Sequence, residues 1–158
     1  MSIKVLFVCH GNICRSPMAE FILKDKVRKL GVEDLFVIDS KATSREEIGN
    51  GIYPSAYKML VKHGINNPYH TASQITIGDY NYYDYIFVMD QNNIRNLKYL
   101  LNKSNLEKVS LIGDFIEKDL PILDPWYTGN FEQVFNQLTE AIDLFLRKLK
   151  EEGKIWKE

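Results

Sequence analysis

The chain is poor in the features that would tie it to a metal, a membrane or an oxidising compartment. Its two cysteines, Cys9 and Cys14, fall in one short loop, so no disulfide framework can staple the fold. A bridge between them would close only a trivial loop, and it makes sense only as a reversible protective state after oxidation of Cys9. Three histidines, with no Cys or His pairs at ligand spacing outside that loop, argue against a zinc site, and no metal or other cofactor is expected. A formal charge of -1 gives no long-range attraction for nucleic acid or an anionic membrane surface. The apolar run from Ile3 to Val8 contains Lys4, is too short for a membrane span or a signal-peptide core, and has no cleavage site after it. These absences predict a cytoplasmic protein without nucleic-acid or membrane partners. No internal repeat, low-complexity tract or linker divides the chain.

With 45% hydrophobic and 26% charged residues in 158, what remains is the composition of one domain able to bury its own core. Ile3 to Val8 reads as a strand buried on both faces, with Lys4 near its start. After Ser16-Pro17, which looks like an N-cap followed by a first-turn proline, Met18, Ala19, Ile22, Leu23, Val27 and Leu30 recur at helical spacing up to Gly31. Leu35 to Ile38 reads as a second strand and Asp39-Ser40 as the start of a polar loop. A short helix follows Pro54, carries Ala56, Met59, Leu60 and His63 on one face, and stops at Gly64. Tyr82 to Met89 reads as the tyrosine-rich approach to a third strand and the strand itself, ending at Asp90. A helix from about Asn92 to Leu101 turns Ile94, Leu97, Leu100 and Leu101 inwards, and Lys108 to Ile112 is a fourth strand. Leu123 to Asn130 spans a proline and reads as a loop. From Phe131 to Leu149 runs the cleanest helical stripe, which is core packing, and the charged tail Lys150 to Lys154 is expected to fray. The predicted fold is a single α/β domain: a twisted four-stranded parallel sheet in the order 2-1-3-4, with helices on both faces.

The chemistry concentrates where the first strand ends, in Cys9-His10-Gly11-Asn12-Ile13-Cys14-Arg15-Ser16. A thiol delivered to a loop that opens a helix meets inward-pointing backbone N–H groups, the positive end of the helix dipole and a guanidinium offering parallel donors. Such a cradle suits a phosphate-type dianion, and the same field favours thiolate over thiol at Cys9. Cys9 alone would read as a small apolar residue ending a buried strand; with Arg15 and Ser16-Pro17 at this spacing it reads as a nucleophile.

The stretch Cys9-x4-Cys14-Arg15-Ser16-Pro17, together with Asp124-Pro125-Trp126-Tyr127 towards the C-terminus and the chain length, resembles the low-molecular-weight protein tyrosine phosphatases. The resemblance covers essentially the whole chain. It implies hydrolysis of phosphotyrosine proteins or small aryl phosphates through a cysteinyl-phosphate, by a monomer or weak dimer. Cys9 would attack phosphorus, residues 10 to 16 would hold the phosphate with Arg15 as clamp, and Asp124 would serve as general acid and then base. Ser16 would stabilise the leaving thiolate. On its own, Asp124-Pro125 reads as a turn opener; beside the Cys9 loop, and with two aromatics after it, it reads as the acid. His70 reads alone as a satisfied turn histidine; the resemblance implies that it is held near the loop and hydrogen-bonds its Asn or Ser, here Asn12 or Ser16. Asp90 would help fix the rim, which is compatible with capping the next helix. Trp126 and Tyr127 would wall a slot for a phenyl ring, or else lid the core.

Two positions depart from the family pattern. Where relatives commonly carry an aromatic residue after the second strand, this chain has Ser44-Arg45-Glu46-Glu47; if Glu46 lines the cleft, acidic phosphopeptides should bind poorly. His10, often apolar in relatives, would add a pH-dependent charge at the rim. Two alternatives stand beside the leading reading. An arsenate reductase on the same scaffold needs further cysteines to relay electrons, and a non-catalytic phosphoryl-binding module leaves nucleophile, arginine and acid without a use.

Overall fold

Val5 to Cys9 are all buried, with alternate side chains on opposite faces, which makes the first strand the centre of the molecule. The computed structural model describes residues 2–155. Strand β1 (Ile3–Cys9) pairs in parallel with β2 (Phe36–Ala42) on one side and β3 (Tyr85–Val88) on the other. β4 (Val109–Leu111) completes a four-stranded sheet in the order β2-β1-β3-β4, as predicted.

Helices α1 (Arg15–Lys29), α2 (Pro54–Lys62) and α6 (Phe131–Glu151) cover the face formed by Val5, Phe7, Phe87 and Met89. Helices α3 (Ile77–Tyr82) and α4 (Gln91–Leu101) cover Leu6, Val8, Ile86 and Val88 on the other. Between β4 and α6 lies α5 (Pro125–Thr128), a single turn. The stripe on α6 is buried as its spacing predicts, from Val134 through Leu138, Ala141 and Phe145 to Leu149. Each such apolar side chain contributes about 1.5–3 kcal/mol by leaving water. Among the described residues, no helix is long and apolar enough to cross a membrane.

Several boundaries differ from the sequence reading. β2 continues through Asp39-Ser40 to Ala42, because the pairing with β1 runs on to Cys9 and buries Ser40 completely. Tyr82 is the end of a helix and not an approach to β3; α3 starts at a capping box in which Thr76 Oγ1 accepts from Asp79 N and the Asp79 carboxylate accepts from Thr76 N. On α4, Leu100 is exposed while Asn93 is buried, because the Asn93 side-chain oxygen accepts the N–H groups of Met89 and Asp90. Asp124 to Thr128 is not an irregular loop: Asp124 caps α5, with Pro125 in its first turn. The C-terminal tail does not fray as far as residue 155, since Ile155 is buried in the core and Lys154 Nζ donates to the Tyr85 hydroxyl at 2.9 Å.

Candidate active site

At the carboxyl ends of the strands, where open parallel sheets gather ligands, lies a cavity of about 270 Å³. Its floor is the turn from β1 into α1. The chain reverses there because Asn12 takes the left-handed conformation, with φ of 61°, which asparagine tolerates better than most residues. Asn12 N donates to Cys9 Sγ at 3.3 Å, and Ser16 Oγ lies 3.0 Å from the same sulfur. The N–H groups of Gly11, Ile13 and Cys14 have no hydrogen-bond partner among the described residues, and all three residues line the cavity. Unpaired amides ahead of a helix N-terminus can bind a tetrahedral anion.

The loop is held from behind by a buried polar chain. Asn12 Oδ1 accepts from Ser73 N at 3.2 Å and from His70 Nε2 at 2.7 Å, while its Nδ2 donates to Ser16 Oγ at 2.8 Å and Ser40 Oγ at 2.9 Å. The backbone donor of Ser73 sets the amide orientation, so His70 Nε2 must donate. The Ser40 hydroxyl donates to Glu20 Oε1 at 2.6 Å, and Lys24 Nζ donates to the other Glu20 oxygen at 2.5 Å. Because Ser16 Oγ already accepts from Asn12, its own hydrogen is free to point at Cys9 Sγ. Glu20, Asp39 and His70 have potential ligand atoms within 4.8 Å of one another, but Ser40, Lys24 and Asn12 already engage the Glu20 oxygens and His70 Nε2.

Arg15 is 3% exposed. Its Nη1 donates to Asp90 Oδ2 and to the carbonyl of Ile122, both at 2.8 Å, leaving the Nε–Nη2 edge without a hydrogen bond among the described residues. Burial works against the guanidinium charge, but Cys9, Asp90 and Asp124 outweigh it and hold Arg15 protonated above its ordinary range. Asp124 Oδ2 stands 3.7 Å from Arg15 Nη2, and its Oδ1 accepts from Trp126 N at 3.0 Å. Burial, and then the neighbouring Cys9, push the Cys14 thiol up to about 12, so it stays neutral at neutral pH. His10, Glu46, Glu47, Trp126 and Tyr127 form the mouth, where His10 Nε2 meets Glu46 Oε2 at 3.0 Å.

The family model described as "Low molecular weight phosphotyrosine protein phosphatase" matches residues 4–155. The chain belongs to this family. A pig low molecular weight phosphotyrosine protein phosphatase is 42% identical over 151 residues, which cover 92% of this chain and 95% of that one. The crystal structure of YfkJ from Bacillus subtilis, 36% identical, superposes with a TM-score of 0.90 over 96% of this chain and 97% of that chain. Wzb of Vibrio vulnificus, solved in complex with benzylphosphonate, is 25% identical with a TM-score of 0.82, covering 94% of this chain and 100% of that chain.

For a low molecular weight phosphatase, the sequence brought forward a site whose members do meet: residues 9 to 15, Glu46, Asp124, Trp126 and Tyr127 line one cavity. His70 and Asp90 sit one contact behind it. One detail is corrected. Ser16 is not the N-cap, a position held by Cys14 without a side-chain cap, because the Ser16 hydroxyl is engaged by Cys9 and Asn12. Of the two loop partners expected for His70, the structure has Asn12, and His70 also approaches Ser40 at 3.3 Å. Sequence reasoning missed Glu20, Ser40 and the Ile122 carbonyl. Glu20 had a local signal, as a charged residue among the apolar positions Met18, Ala19, Ile22 and Leu23 of α1, whereas Ser40, between Asp39 and Lys41, had none.

Proposed function

We propose that this chain hydrolyses phosphotyrosine and small aryl phosphates through a cysteinyl-phosphate intermediate, with Cys9 as nucleophile, Arg15 as phosphate clamp and Asp124 as general acid and base. The observation that carries the reading is the approach of Asp124 Oδ2 to within 3.7 Å of Arg15 Nη2, at the cavity that also holds the Cys9 sulfur. A phosphate seated on the free amides of residues 11, 13 and 14 takes two parallel donors from the Nε–Nη2 edge of Arg15. Asp90 and Ile122 fix that guanidinium in advance, so little reorganisation is needed as charge develops on the equatorial oxygens.

In the first half, the sulfur–phosphorus bond forms, the aryl oxygen–phosphorus bond breaks, and the departing oxygen takes the proton of Asp124. In the second, the Asp124 carboxylate takes a proton from water as that water attacks phosphorus. The sulfur–phosphorus bond breaks, and the Ser16 hydroxyl donates to the released thiolate. Inorganic phosphate leaves and Asp124 is protonated again. Trp126 and Tyr127 offer apolar walls to a phenyl ring, which a serine phosphate lacks. Glu46 and Glu47 give that mouth a carboxylate character, which disfavours acidic flanks on a peptide substrate.

The test is hydrolysis of an aryl phosphate by wild type, Cys9→Ser and Asp124→Ala. Cys9→Ser loses essentially all turnover. Asp124→Ala loses about a hundredfold or more with a phenol that leaves as a strong base, and much less with one that leaves as a weak base. Full activity in Cys9→Ser would overturn the reading.

A further inference from the structure

We propose that Tyr53 is a positioning residue for the acid turn: it holds Trp126, and through the Trp126 backbone amide it keeps the Asp124 carboxyl over the phosphate cradle. The inference rests on Asp124 being the general acid. Tyr53 lies just before α2, far in sequence from Asp124, yet it touches the three parts that have to stay in register. Its backbone N donates to the carbonyl of Ile13 in the cradle at 2.9 Å. Its ring meets the Trp126 indole edge-on, with centroids 5.0 Å apart and planes at 62°. The same ring stacks on Phe131, the first residue of α6, at 5.8 Å and 13°.

Those contacts matter because, beyond the buried Pro125 and the backbone hydrogen bonds of the turn itself, the Tyr53 ring is the aromatic neighbour that Trp126 packs on. α5 is one turn long, too short to hold its shape by its own hydrogen bonds, and its side-chain cap is the Asp124 Oδ1 to Trp126 N bond at 3.0 Å. Trp126 is 56% exposed, so outside the Tyr53 contact much of the indole faces solvent. An indole free to change rotamer lets the Trp126 amide rotate, and the carboxyl that accepts from it leaves its place 3.7 Å from Arg15 Nη2. The main-chain link from Tyr53 to Ile13 ties this brace to the loop that holds the phosphate, so acid and phosphate shift together or not at all.

The prediction concerns proton delivery and leaves phosphate binding alone. The measurement is kcat/KM, which covers the steps through departure of the phenol, for wild type, Tyr53→Ala, Tyr53→Phe and Asp124→Asn. Each is tested with phenyl phosphate, whose phenoxide needs a proton, and with dinitrophenyl phosphate, whose phenoxide does not. Tyr53→Ala lowers kcat/KM for phenyl phosphate about tenfold, leaves dinitrophenyl phosphate within about twofold, and leaves inhibition by inorganic phosphate unchanged. Tyr53→Phe keeps both ring contacts and matches wild type on both substrates. Asp124→Asn shows the same selectivity in a larger degree. An equal loss on both substrates in Tyr53→Ala, or no loss on either, overturns the role of Tyr53 while Asp124→Asn still discriminates. If Asp124→Asn itself fails to discriminate, the acid assignment and the Tyr53 role fall together.

Discussion

Replacing Asn12 by alanine removes the one side chain that ties the phosphate loop to three other parts of the chain. The His70 Nε2–H and the Ser73 N–H lose their acceptor, and the Ser16 and Ser40 hydroxyls lose a donor. Each orphaned buried donor costs about 1–3 kcal/mol. A left-handed alanine adds about 1 kcal/mol over asparagine, at a position where φ is 61°. Allowing for non-additivity within one network, the loss is about 4 kcal/mol, which in a chain of this size lowers Tm by roughly 10 °C. Asn12→Gly separates the two contributions, because it accepts the left-handed backbone but makes none of the four side-chain bonds. Urea unfolding and thermal melts of both variants, with inorganic phosphate inhibition as the report on the loop, provide the assay. Glycine should recover only the backbone share, and both variants should bind phosphate weakly. An alanine variant with wild-type Tm and wild-type phosphate inhibition would refute the claim that this network holds the loop.

Arg15→Lys keeps the charge but offers a single point donor, which cannot serve Asp90, Ile122 and a phosphate at once; kcat/KM should fall at least a hundredfold while far-ultraviolet circular dichroism stays unchanged. Because Cys14 is pushed up to about 12 and is a neutral thiol at neutral pH, iodoacetate at that pH should label Cys9 and spare Cys14, with inorganic phosphate protecting; preferential labelling of Cys14 on peptide mapping would contradict this. At Gly113 an added Cβ would lie 2.0 Å from the Leu120 carbonyl oxygen, so Gly113→Ala must displace the segment that delivers Ile122 to Arg15. It should lower stability by about 1–3 kcal/mol in a denaturant titration and weaken phosphate binding as well. Glu46→Gln should narrow the preference for basic over acidic phosphopeptides by up to about fivefold in kcat/KM, and equal preference in both proteins would remove Glu46 from specificity.

The parts of the account that were legible from residues alone are those carried by local pattern. A doubly buried β1, the punctuated loop after it and the α6 stripe each follow from neighbours in sequence, and the parallel order of strands follows from the alternation of helices and strands. The supports of the site were harder to see, because they exist only through contacts between distant elements. Ser40 looked like a loop residue until β2 was extended by pairing to the end of β1. Glu20 becomes a support only through the contacts of Ser40 and Lys24 with its two oxygens. Ile122 acts through a carbonyl, which every residue has, so no side-chain pattern could mark it. Asp124-Pro125 has the form of a helix cap as well as of a turn opener, and local pattern alone does not choose between them.

The central claim, that the sulfur of Cys9 carries the phosphoryl group during turnover, is tested most directly by quenching the enzyme under denaturing conditions while it turns over an aryl phosphate. Fragmentation mass spectrometry of the peptide containing residues 9 to 15 then locates the group. The prediction is one phosphoryl group on Cys9 in wild type and none in Cys9→Ser. A phosphoryl group on His10 or Cys14, or steady phenol release by Cys9→Ser, would contradict it.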